Sequence, residues 1–258
     1  MSYIYGIHAV DSLLRQNPGS VRRLLAQQGR EDKRVGALLE LARNQGVPVV
    51  REPRRALDEL VKGRHQGIVA ETLAQAGPGA AGQPNLWQEA DLLRLVDEKV
   101  EPVLLLVLDG VTDPHNLGAC LRSADAAGVD AVVVPRDKAA DLTAVSRKVA
   151  CGAAEVVPFV RVTNLARTLQ ALKERGVWLF GTAGEAETSL YDSDLCVAMA
   201  LVMGAEGSGL RRLTREQCDF LVRLPMAGSV SSLNVSVATG ICLFEARRQR
   251  LAGRPQTL

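Results

Sequence analysis

Short apolar runs alternate with helix-like stretches along the first 73 residues. Apolar residues that recur every three or four positions predict helices, and runs of aliphatic residues four to seven long predict strands. The predicted helices cover 7–14, 34–45 and 54–61, and the predicted strands cover 21–26, 47–50 and 68–72. This alternation indicates a small α/β domain.

The same alternation resumes near residue 86 and continues to residue 250. Many of its strands are apolar at nearly every position, which is typical of parallel strands covered by helices on both faces. Strands are predicted at 103–109, 131–134, 155–160, 177–181, 198–203 and 220–224, and helices at 86–100, 117–127, 142–149, 164–175 and 232–250. We expect Gly128 to end the second of these helices as a C-cap. In the last helix, Leu233, Val237 and Ile241 form a predicted apolar stripe.

Gly, Ala and Pro dominate the stretch QAGPGAAGQPN at 75–85, which carries no charge and no periodic pattern. Such a composition is typical of a flexible linker. The chain therefore divides into a predicted N-terminal domain at 1–74, a linker at 75–86 and a larger domain at 87–258.

Charge is distributed unevenly although the net charge is only +2. Residues 1–73 hold 12 basic and 8 acidic residues, whereas the remainder holds 19 basic and 21 acidic residues. A basic small domain beside a near-neutral larger one is typical of a nucleic-acid-docking module, but an ordinary solvated surface explains the charge equally well. Aromatic residues make up 3% of the chain, which argues against a broad stacking platform for bases.

Several classes of protein are disfavoured by the sequence. Its apolar runs are only as long as strands, and its first residues lack the pattern of a signal peptide, so we expect a cytoplasmic protein without a membrane span. Five cysteines, widely spaced and without a C-x-x-C pair, argue against disulfides and zinc. The three histidines have no metal-ligand spacing, so we predict no metal site. No G-x-S-x-G elbow of a serine hydrolase is present.

Three polar or glycine-rich segments follow apolar strands, at 108–128, 202–210 and 224–240. Ligands bind at the carboxyl ends of parallel strands, so candidate chemistry is sought there. The second segment contains glycines spaced G-x-x-G-x-G, which is the wrong order for a dinucleotide-binding loop. Glu206 lies within that segment, where a carboxylate could accept hydrogen bonds from a ligand or orient a cation.

The other two segments allow both functional and purely structural interpretations. Asn116 and Arg122 are six residues apart, so they would not share a helix face. For this segment alone, an N-cap followed by a surface arginine is the preferred interpretation. His115 could act as a base or be an ordinary loop histidine. Ser231 and Ser232 are expected to cap the last helix, whose free N–H groups could also bind an anion.

Together these segments resemble the SpoU family of RNA ribose 2′-O-methyltransferases, which belongs to the SPOUT superfamily. The resemblance is carried by NLGACLR at 116–122, MGAEGSG at 203–209 and PMAGSVSSLNV at 225–235, and it extends over about 103–250. It implies a C-terminal α/β methyltransferase domain with a deep trefoil knot, and homodimers that pack through that domain. It also implies that the N-terminal domain is similar to the ribosomal L30e-type RNA-binding fold.

The resemblance also assigns residues. It implies a catalytic set of Arg122, Asn116, Glu206, Ser232 and Asn234. It implies that S-adenosylmethionine is held by Thr182, Gly184, Gly204, Gly207, Leu224, Met226 and Leu233. For RNA binding we select basic residues of the N-terminal domain: Arg15, Arg22, Arg23, Arg54, Arg55, Arg64 and His65. Because guanidinium groups stay protonated, we expect Arg122 to grip a phosphate and stabilise alkoxide charge rather than act as a base.

Within the family, the first and third segments look closest to enzymes that methylate a guanosine ribose of 23S ribosomal RNA. The predicted function is therefore methyl transfer from S-adenosylmethionine to that 2′-hydroxyl. A 2′-O-methyltransferase acting on transfer RNA or on another ribosomal site is one alternative. A non-catalytic RNA-binding factor for ribosome assembly is another, disfavoured because Asn116, Arg122, Glu206 and Asn234 are all present.

Overall fold

The computed structural model describes residues 2–16, 18–30, 32–61, 65–72 and 85–253. The chain forms two compact units, an N-terminal unit of Met1–Leu86 with Cys151–Val156 and a C-terminal unit of Trp87–Ala150 with Val157–Leu258. Most of the predicted linker, at 75–84, lies outside the described residues. None of the helices formed by the described part of the chain has the length and apolar character needed to cross a bilayer.

A four-stranded sheet with helices on both faces builds the N-terminal unit, and its strand order is β1-β4-β2-β3. Strand β4 runs antiparallel to β1 and β2, while β2 and β3 are parallel. The strands are β1 Ser2–Tyr5, β2 Val21–Gln27, β3 Val49–Glu52 and β4 Ile68–Thr72, and the helices are α1 Ile7–Gln16, α2 Lys33–Asn44 and α3 Arg54–Leu60. The six elements predicted here are confirmed to within about two residues, and β1 was missed.

The apolar side chains of this sheet alternate between its two faces, as they must in a pleated strand. Leu24 of β2 packs with α1 and α2 in one cluster, and its neighbour Leu25 packs with Leu57 of α3 in another. Strand β2 carries an irregularity near its start, where the pairing register with β4 shifts between Val21 and Arg23.

An eight-stranded sheet in the order β10-β12-β9-β11-β6-β7-β8-β5 forms the centre of the C-terminal unit. The pairs from β10 to β8 are parallel, which confirms the predicted α/β architecture. The strands are β5 Leu86–Trp87, β6 Leu104–Asp109, β7 Ala131–Pro135, β8 Phe159–Val162, β9 Trp178–Thr182, β10 Thr188–Ser189, β11 Met199–Gly204 and β12 Phe220–Arg223. The helices are α4 Glu89–Glu98, α5 Pro114–Ala127, α6 Ala144–Ala150, α7 Leu165–Lys173, α8 Arg212–Gln217 and α9 Val235–Ala252.

Every residue of β6 is buried, as the apolar run predicts. Leu105 and Val107 pack on one face of the sheet with Leu92 of α4 and Leu169 of α7. Helices α5 and α9 pack against each other, where Cys120 lies 3.6 Å from Thr239 through its Sγ and the threonine Oγ1. Burial raises the pKa of the Cys120 thiol to about 11, so this cysteine stays neutral in the core.

Two helix starts differ from the prediction. Helix α5 begins at Pro114, because Asp113 caps it by accepting a hydrogen bond from the His115 N–H group and proline is well suited to the first helical position. Asn116 therefore lies in the first turn and neither precedes nor caps the helix. Gly128 has a φ of 75° and ends α5, as predicted.

Helix α9 begins later than predicted, at Val235, and its cap is Asn234. The prediction that Ser231 and Ser232 cap this helix is wrong, because both precede the capping residue. The predicted apolar stripe is also wrong, since Val237 is 51% exposed. The buried face consists instead of Val235, Thr239, Cys242, Leu243, Glu245 and Ala246.

The strand predicted at 155–160 is shifted. Ala153–Glu155 forms a single 3-10 turn, and β8 begins only at Phe159. Pro158 precedes this strand, and a proline has no N–H group with which to pair. The short elements β5, β10 and α8 were missed, because two-residue and six-residue elements carry little periodic signal. The helix predicted at 86–100 therefore begins only at Glu89, after β5.

Candidate active site

A cavity of about 800 Å³ lies at the carboxyl ends of β9, β11 and β12. It is lined by the segments 182–185, 203–210, 222–224 and 231–235, together with Arg215, Met226 and Ala238. These three strands are neighbours and parallel, so the loops that follow them emerge at the same edge of the sheet. The volume lies within the range of about 300–1,000 Å³ that is usual for small-molecule sites.

The segment after β11 folds back onto the end of its own strand. Ala205 and Gly209 exchange backbone hydrogen bonds of 3.1 and 2.9 Å. A Cβ atom on Gly204 would lie 2.2 Å from the Gly209 carbonyl carbon and 2.4 Å from the Leu210 nitrogen. Only glycine fits at 204, because these neighbours are backbone atoms that cannot move without reshaping the loop.

A buried ion pair fastens the far end of this loop to β6. The carboxylate of Asp109 is fully buried and accepts hydrogen bonds from the backbone N–H of Arg211 at 2.9 Å and from its guanidinium group. A buried carboxylate must be paired to be tolerated. In the sequence, the only signal of this pair is a polar residue at the end of an apolar strand, so the pair was not predicted.

Three of the predicted catalytic residues meet in one hydrogen-bonded cluster beside the cavity, which we call the amide–carboxylate cluster. Glu206 Oε1 accepts from Asn234 Nδ2 at 2.6 Å, from Asn116 Nδ2 at 3.2 Å and from the Val235 N–H at 3.2 Å. Asn234 Nδ2 also donates to Asn116 Oδ1 at 2.9 Å. Each of these residues comes from a different one of the three segments identified in the sequence.

Asn234 has a second role that fixes the orientation of its amide. Its Oδ1 accepts from the backbone N–H groups of Ser236 at 2.9 Å and Val237 at 3.4 Å, and from the Ser236 hydroxyl at 2.7 Å. An amide oxygen can only accept and an amide nitrogen can only donate. The oxygen is therefore committed to the cap of α9, and the nitrogen faces Glu206 and Asn116.

The residues predicted to hold the cofactor all line the cavity: Thr182, Gly184, Gly204, Gly207, Leu224, Met226 and Leu233. Ser232 also lines it and is exposed. Thr182 donates its hydroxyl to the Val202 carbonyl at 3.3 Å, which orients the end of β9 toward β11. The assigned roles of these residues remain predictions.

Arg122 is placed on the helix that carries Asn116. It lies on α5 six residues after Asn116, its side chain is exposed, and it is not among the residues that line the cavity. His115 is likewise exposed on the first turn of α5 and does not line the cavity. A six-residue separation turns the two side chains of a helix well apart, as the sequence analysis noted.

The basic residues selected for RNA binding fall into two kinds. Arg15, Arg54 and Arg55 each pair with an acidic residue four positions away on an exposed helix face. Arg22 and Arg23 of β2 both pair with Glu71. The exposed helix pairs contribute little to stability, because solvent screens the two charges.

His65 requires a correction, and Arg64 lies outside the described residues. The His65 side chain is only 5% exposed. Its Nε2 is hydrogen-bonded to Asp58 Oδ1 at 2.9 Å, and its Nδ1 accepts from the Gly67 N–H at 3.0 Å. Both ring nitrogens therefore hold the turn before β4, and a direct contact with RNA does not fit this position.

Comparison with known proteins identifies the chain. Residues 103–244 match the model of the SpoU rRNA methylase family, and residues 3–75 match the model described as RNA 2′-O ribose methyltransferase substrate binding. The chain belongs to the SpoU rRNA methylase family. The region matched by the SpoU model contains all three strand ends that form the cavity.

SpoU relatives of high identity cover almost the whole chain. The 23S rRNA (guanosine-2′-O-)-methyltransferase RlmB of Pseudomonas syringae pv. tomato is 59% identical over 97% of both chains. The protein of the same name from Escherichia coli strain K12 is 58% identical over 96% of this chain and 98% of its own.

Solved SpoU structures have the same fold. The methyltransferase AviRb of Streptomyces viridochromogenes, in complex with the cofactor AdoMet, is 27% identical with a TM-score of 0.69, over 97% of this chain and 91% of its own. The TrmH/SpoU tRNA modifying enzyme of A. aeolicus is 31% identical with a TM-score of 0.54, over 64% of this chain and 85% of its own.

Proposed function

We propose that this protein transfers a methyl group from S-adenosylmethionine to the ribose 2′-hydroxyl of a guanosine in 23S ribosomal RNA. The observation that carries the proposal is the convergence of Asn116, Glu206 and Asn234 beside a cavity of cofactor size, in a member of this family. Relatives that cover nearly the whole chain are named for that reaction, which favours it over transfer RNA or another ribosomal site. A non-catalytic assembly factor would not need this cluster.

The cavity suits S-adenosylmethionine. Its glycine loop offers backbone groups, and Met203, Leu224 and Leu233 supply apolar surface for an adenine ring. Two carboxylates, of Glu185 and Glu206, and two guanidinium groups, of Arg215 and Arg223, also line it, and Glu185 pairs with Arg215. A lining of both signs suits S-adenosylmethionine, which itself carries positive and negative groups. When bound, S-adenosylmethionine supplies a methyl group on a positively charged sulfur.

The residues of the chain prepare the nucleophile. A neutral ribose hydroxyl attacks poorly, so it must be aligned and must lose its proton as it reacts. Glu206 fixes the amides of Asn116 and Asn234 in one orientation. Both donors of the Asn234 amide are used within the cluster, so the second N–H of Asn116 and the Ser232 hydroxyl are the groups offered to the ribose. The guanidinium of Arg122 stabilises developing negative charge and binds the neighbouring phosphate. The proton leaves through that phosphate or through water.

The finer architecture belongs to the proposal as well. The strand order β10-β12-β9-β11, with three separate loops around one cavity, supports a C-terminal segment threaded as a trefoil knot. The layered α/β arrangement of the N-terminal unit supports an L30e-like RNA-binding fold.

A homodimer through the catalytic domain is supported by the surface of α9. Val237, Phe244 and Leu251 of this helix are each about half exposed. Exposed apolar side chains on one element are characteristic of a surface that a partner covers. A cytoplasmic location follows from the proposed ribosomal RNA substrate.

The proposed function is tested by incubating the full chain with methyl-labelled S-adenosylmethionine and unmodified 23S ribosomal RNA, and then mapping the label. We expect one guanosine to become 2′-O-methylated. Label on a base, or label on transfer RNA with none on 23S RNA, would contradict the substrate. RNA binding without any transfer would favour the assembly-factor alternative.

A further inference from the structure

One buried carboxylate in the N-terminal unit holds two arginines. Glu71 of β4 has no solvent exposure, and its two carboxylate oxygens accept from Arg22 Nη1 at 3.1 Å and from Arg23 Nε at 2.5 Å. The arginine side chains themselves are 50% and 44% exposed. The carboxylate therefore lies beneath the surface, and the two guanidinium groups lie on it.

Two adjacent residues of a strand normally point to opposite faces of the sheet. Here Val21 pairs with Thr72 and Arg23 with Glu71, so Arg22 is an extra residue in β2 and forms a β-bulge. A bulge redirects a side chain, and this one allows consecutive arginines to reach the same carboxylate. The bulge in β2 is therefore what brings both guanidinium groups to Glu71.

The cluster lies on the face of the sheet that α3 covers. Tyr3, Glu71 and Arg23 are register partners across β1, β4 and β2, so their side chains project from one face. Leu25 lies two residues after Arg23, and Val69 lies two residues before Glu71. Both project from this same face and pack under α3. The arginines therefore stand next to the helix-covered core, where their exposed atoms meet solvent.

The charge of the cluster exceeds what a structural ion pair requires. One arginine suffices to neutralise a buried carboxylate, whereas two leave a net charge of +1 at the surface. Hydrogen bonding from Arg23 is the main cause that holds the pKa of the Glu71 carboxyl below its usual range, so Glu71 is ionised at neutral pH. A surplus positive charge carried on guanidinium groups matches a phosphodiester, which bears one negative charge.

We propose that Arg22 and Arg23 form a phosphate clamp for the RNA backbone, and that Glu71 is a positioning residue that holds the clamp through the β2 bulge. This inference rests on the proposed function, because the RNA it engages is the substrate of the methyl transfer. Phosphate contacts fix the orientation of a nucleic acid without reading its sequence. The clamp therefore contributes to RNA affinity and not to the chemical step.

The primary test is Arg22→Ala in the full chain, because Arg23 still neutralises Glu71 in this variant. Methylation of unmodified 23S RNA is measured at several salt concentrations. We expect the KM for RNA to rise about tenfold, which corresponds to one charge-assisted hydrogen bond. We also expect the slope of log affinity against log salt concentration to decrease in magnitude by about one. The kcat and the affinity for S-adenosylmethionine should be unchanged.

The control is Arg43→Ala. Arg43 is also exposed and basic, but it lies on α2, whose buried residues pack on the opposite face of the same sheet. This variant removes the same charge from the same unit. Its KM should stay within about twofold of wild type, as expected for an exposed charge that makes no phosphate contact. An equal rise of KM in both variants would overturn the clamp in favour of a diffuse charge effect.

Glu71→Gln separates positioning from charge. This substitution adds one net positive charge, so a surface that attracts RNA only through its charge would bind more tightly and lower KM. A clamp that depends on the carboxylate for its geometry binds RNA more weakly, and we expect KM to rise with kcat unchanged. A lowered KM would overturn the positioning role.

The outcomes distinguish the clamp from the proposed function. If wild type methylates 23S RNA and Arg22→Ala leaves KM unchanged, the clamp is wrong and the proposed function stands. If wild type transfers no methyl group, filter binding of the same RNA replaces KM as the measure. Weaker binding by Arg22→Ala alone would then support the clamp while the proposed function fails.

Discussion

Asn234 links the start of α9 to the loop after β11, because its Nδ2 donates to Glu206 Oε1 at 2.6 Å while its Oδ1 caps the helix. One side chain thus sets both the beginning of the last helix and the geometry of the amide–carboxylate cluster. We predict that helix stability and catalysis are coupled at this residue and that suitable substitutions separate them.

Asn234→Asp should retain the cap and lose activity. Aspartate caps helices as well as asparagine does, so the variant should still unfold cooperatively, with its melting temperature lowered only by repulsion from Glu206. It cannot donate to Glu206 and would place a second carboxylate against it, so we expect turnover to fall by at least about 100-fold, as for loss of a preorganised catalytic group. Asn234→Ala should lose activity and also about 1 kcal/mol of stability. Thermal unfolding and initial rates measure both effects; full activity in the Asp variant would refute the role of the amide.

Glu206→Gln should lower turnover without unfolding the protein. An amide at this position can still accept one hydrogen bond, but it loses the charge that orders both asparagine amides and the Val235 N–H. We expect kcat to fall on the order of tenfold or more, with an unchanged cooperative melt. Glu216→Gln is the matched control, since Glu216 is half exposed in a surface pair on α8. Equal activity in both variants would remove Glu206 from the catalytic set.

Gly204→Ala should abolish cofactor binding. The added Cβ would lie 2.2 Å from the Gly209 carbonyl carbon, so the loop that lines the cavity must move. Titration calorimetry with S-adenosylmethionine should show at least a tenfold weaker Kd, of the order expected from overpacking. Gly228→Ala is the control, because nothing lies within 4 Å of its Cβ position. Wild-type affinity in Gly204→Ala would mean that the loop does not hold the cofactor.

Glu245 predicts a pH dependence of stability. Hydrogen bonds from Arg248, and then from Gln249, lower the pKa of the Glu245 carboxyl to about 2 from a usual value of 4.5. Since the folded-state pKa is the lower one, the stabilisation is complete above pH 4.5 and is lost as the pH falls toward 2. Glu245→Gln should flatten the dependence of the melting temperature on pH across this window. A curve as steep as that of wild type would show that other groups cause it.

Arg250 should be the most important single anchor of α9. Its guanidinium donates to the carbonyls of Leu195, Pro102, Val103 and Val197 at 2.6–3.1 Å. Arg250→Ala leaves these carbonyls without that donor and should cost about 2–4 kcal/mol in urea denaturation. Arg250→Lys should recover little, because one ammonium group cannot reproduce the planar fork. Arg212→Ala, in an exposed pair, should change stability by less than about 0.5 kcal/mol.

The sequence could predict the elements whose signal is local. The apolar run of β6 and the glycine that ends α5 are both found where the pattern places them. Helix starts were harder, because Asp113 and Asn234 compete with neighbouring polar residues as caps and only three-dimensional packing decides between them. The apolar stripe predicted for the last helix was wrong at Val237, since a half-exposed valine and a buried one look the same in a sequence.

The convergence of the site residues could not be predicted from local sequence patterns. Asn116 and Asn234 are separated by 118 positions, and no periodicity relates residues so far apart. Their convergence was expected only from resemblance to a family, combined with the rule that parallel strands present their loops at one edge. The pairing of Glu71 with two arginines was not foreseen, because it depends on a one-residue register shift that leaves no trace in hydrophobic spacing.

The long separation of the clustered residues has a consequence for biosynthesis. Asn116 and Glu206 leave the ribosome well before Asn234, and their shared hydrogen bonds cannot form until α9 has begun to fold. A nascent chain that ends before α9 therefore has neither a complete cavity nor an anchored last helix. Methyl transfer can therefore begin only after the start of α9 has been made and has joined the loop after β11.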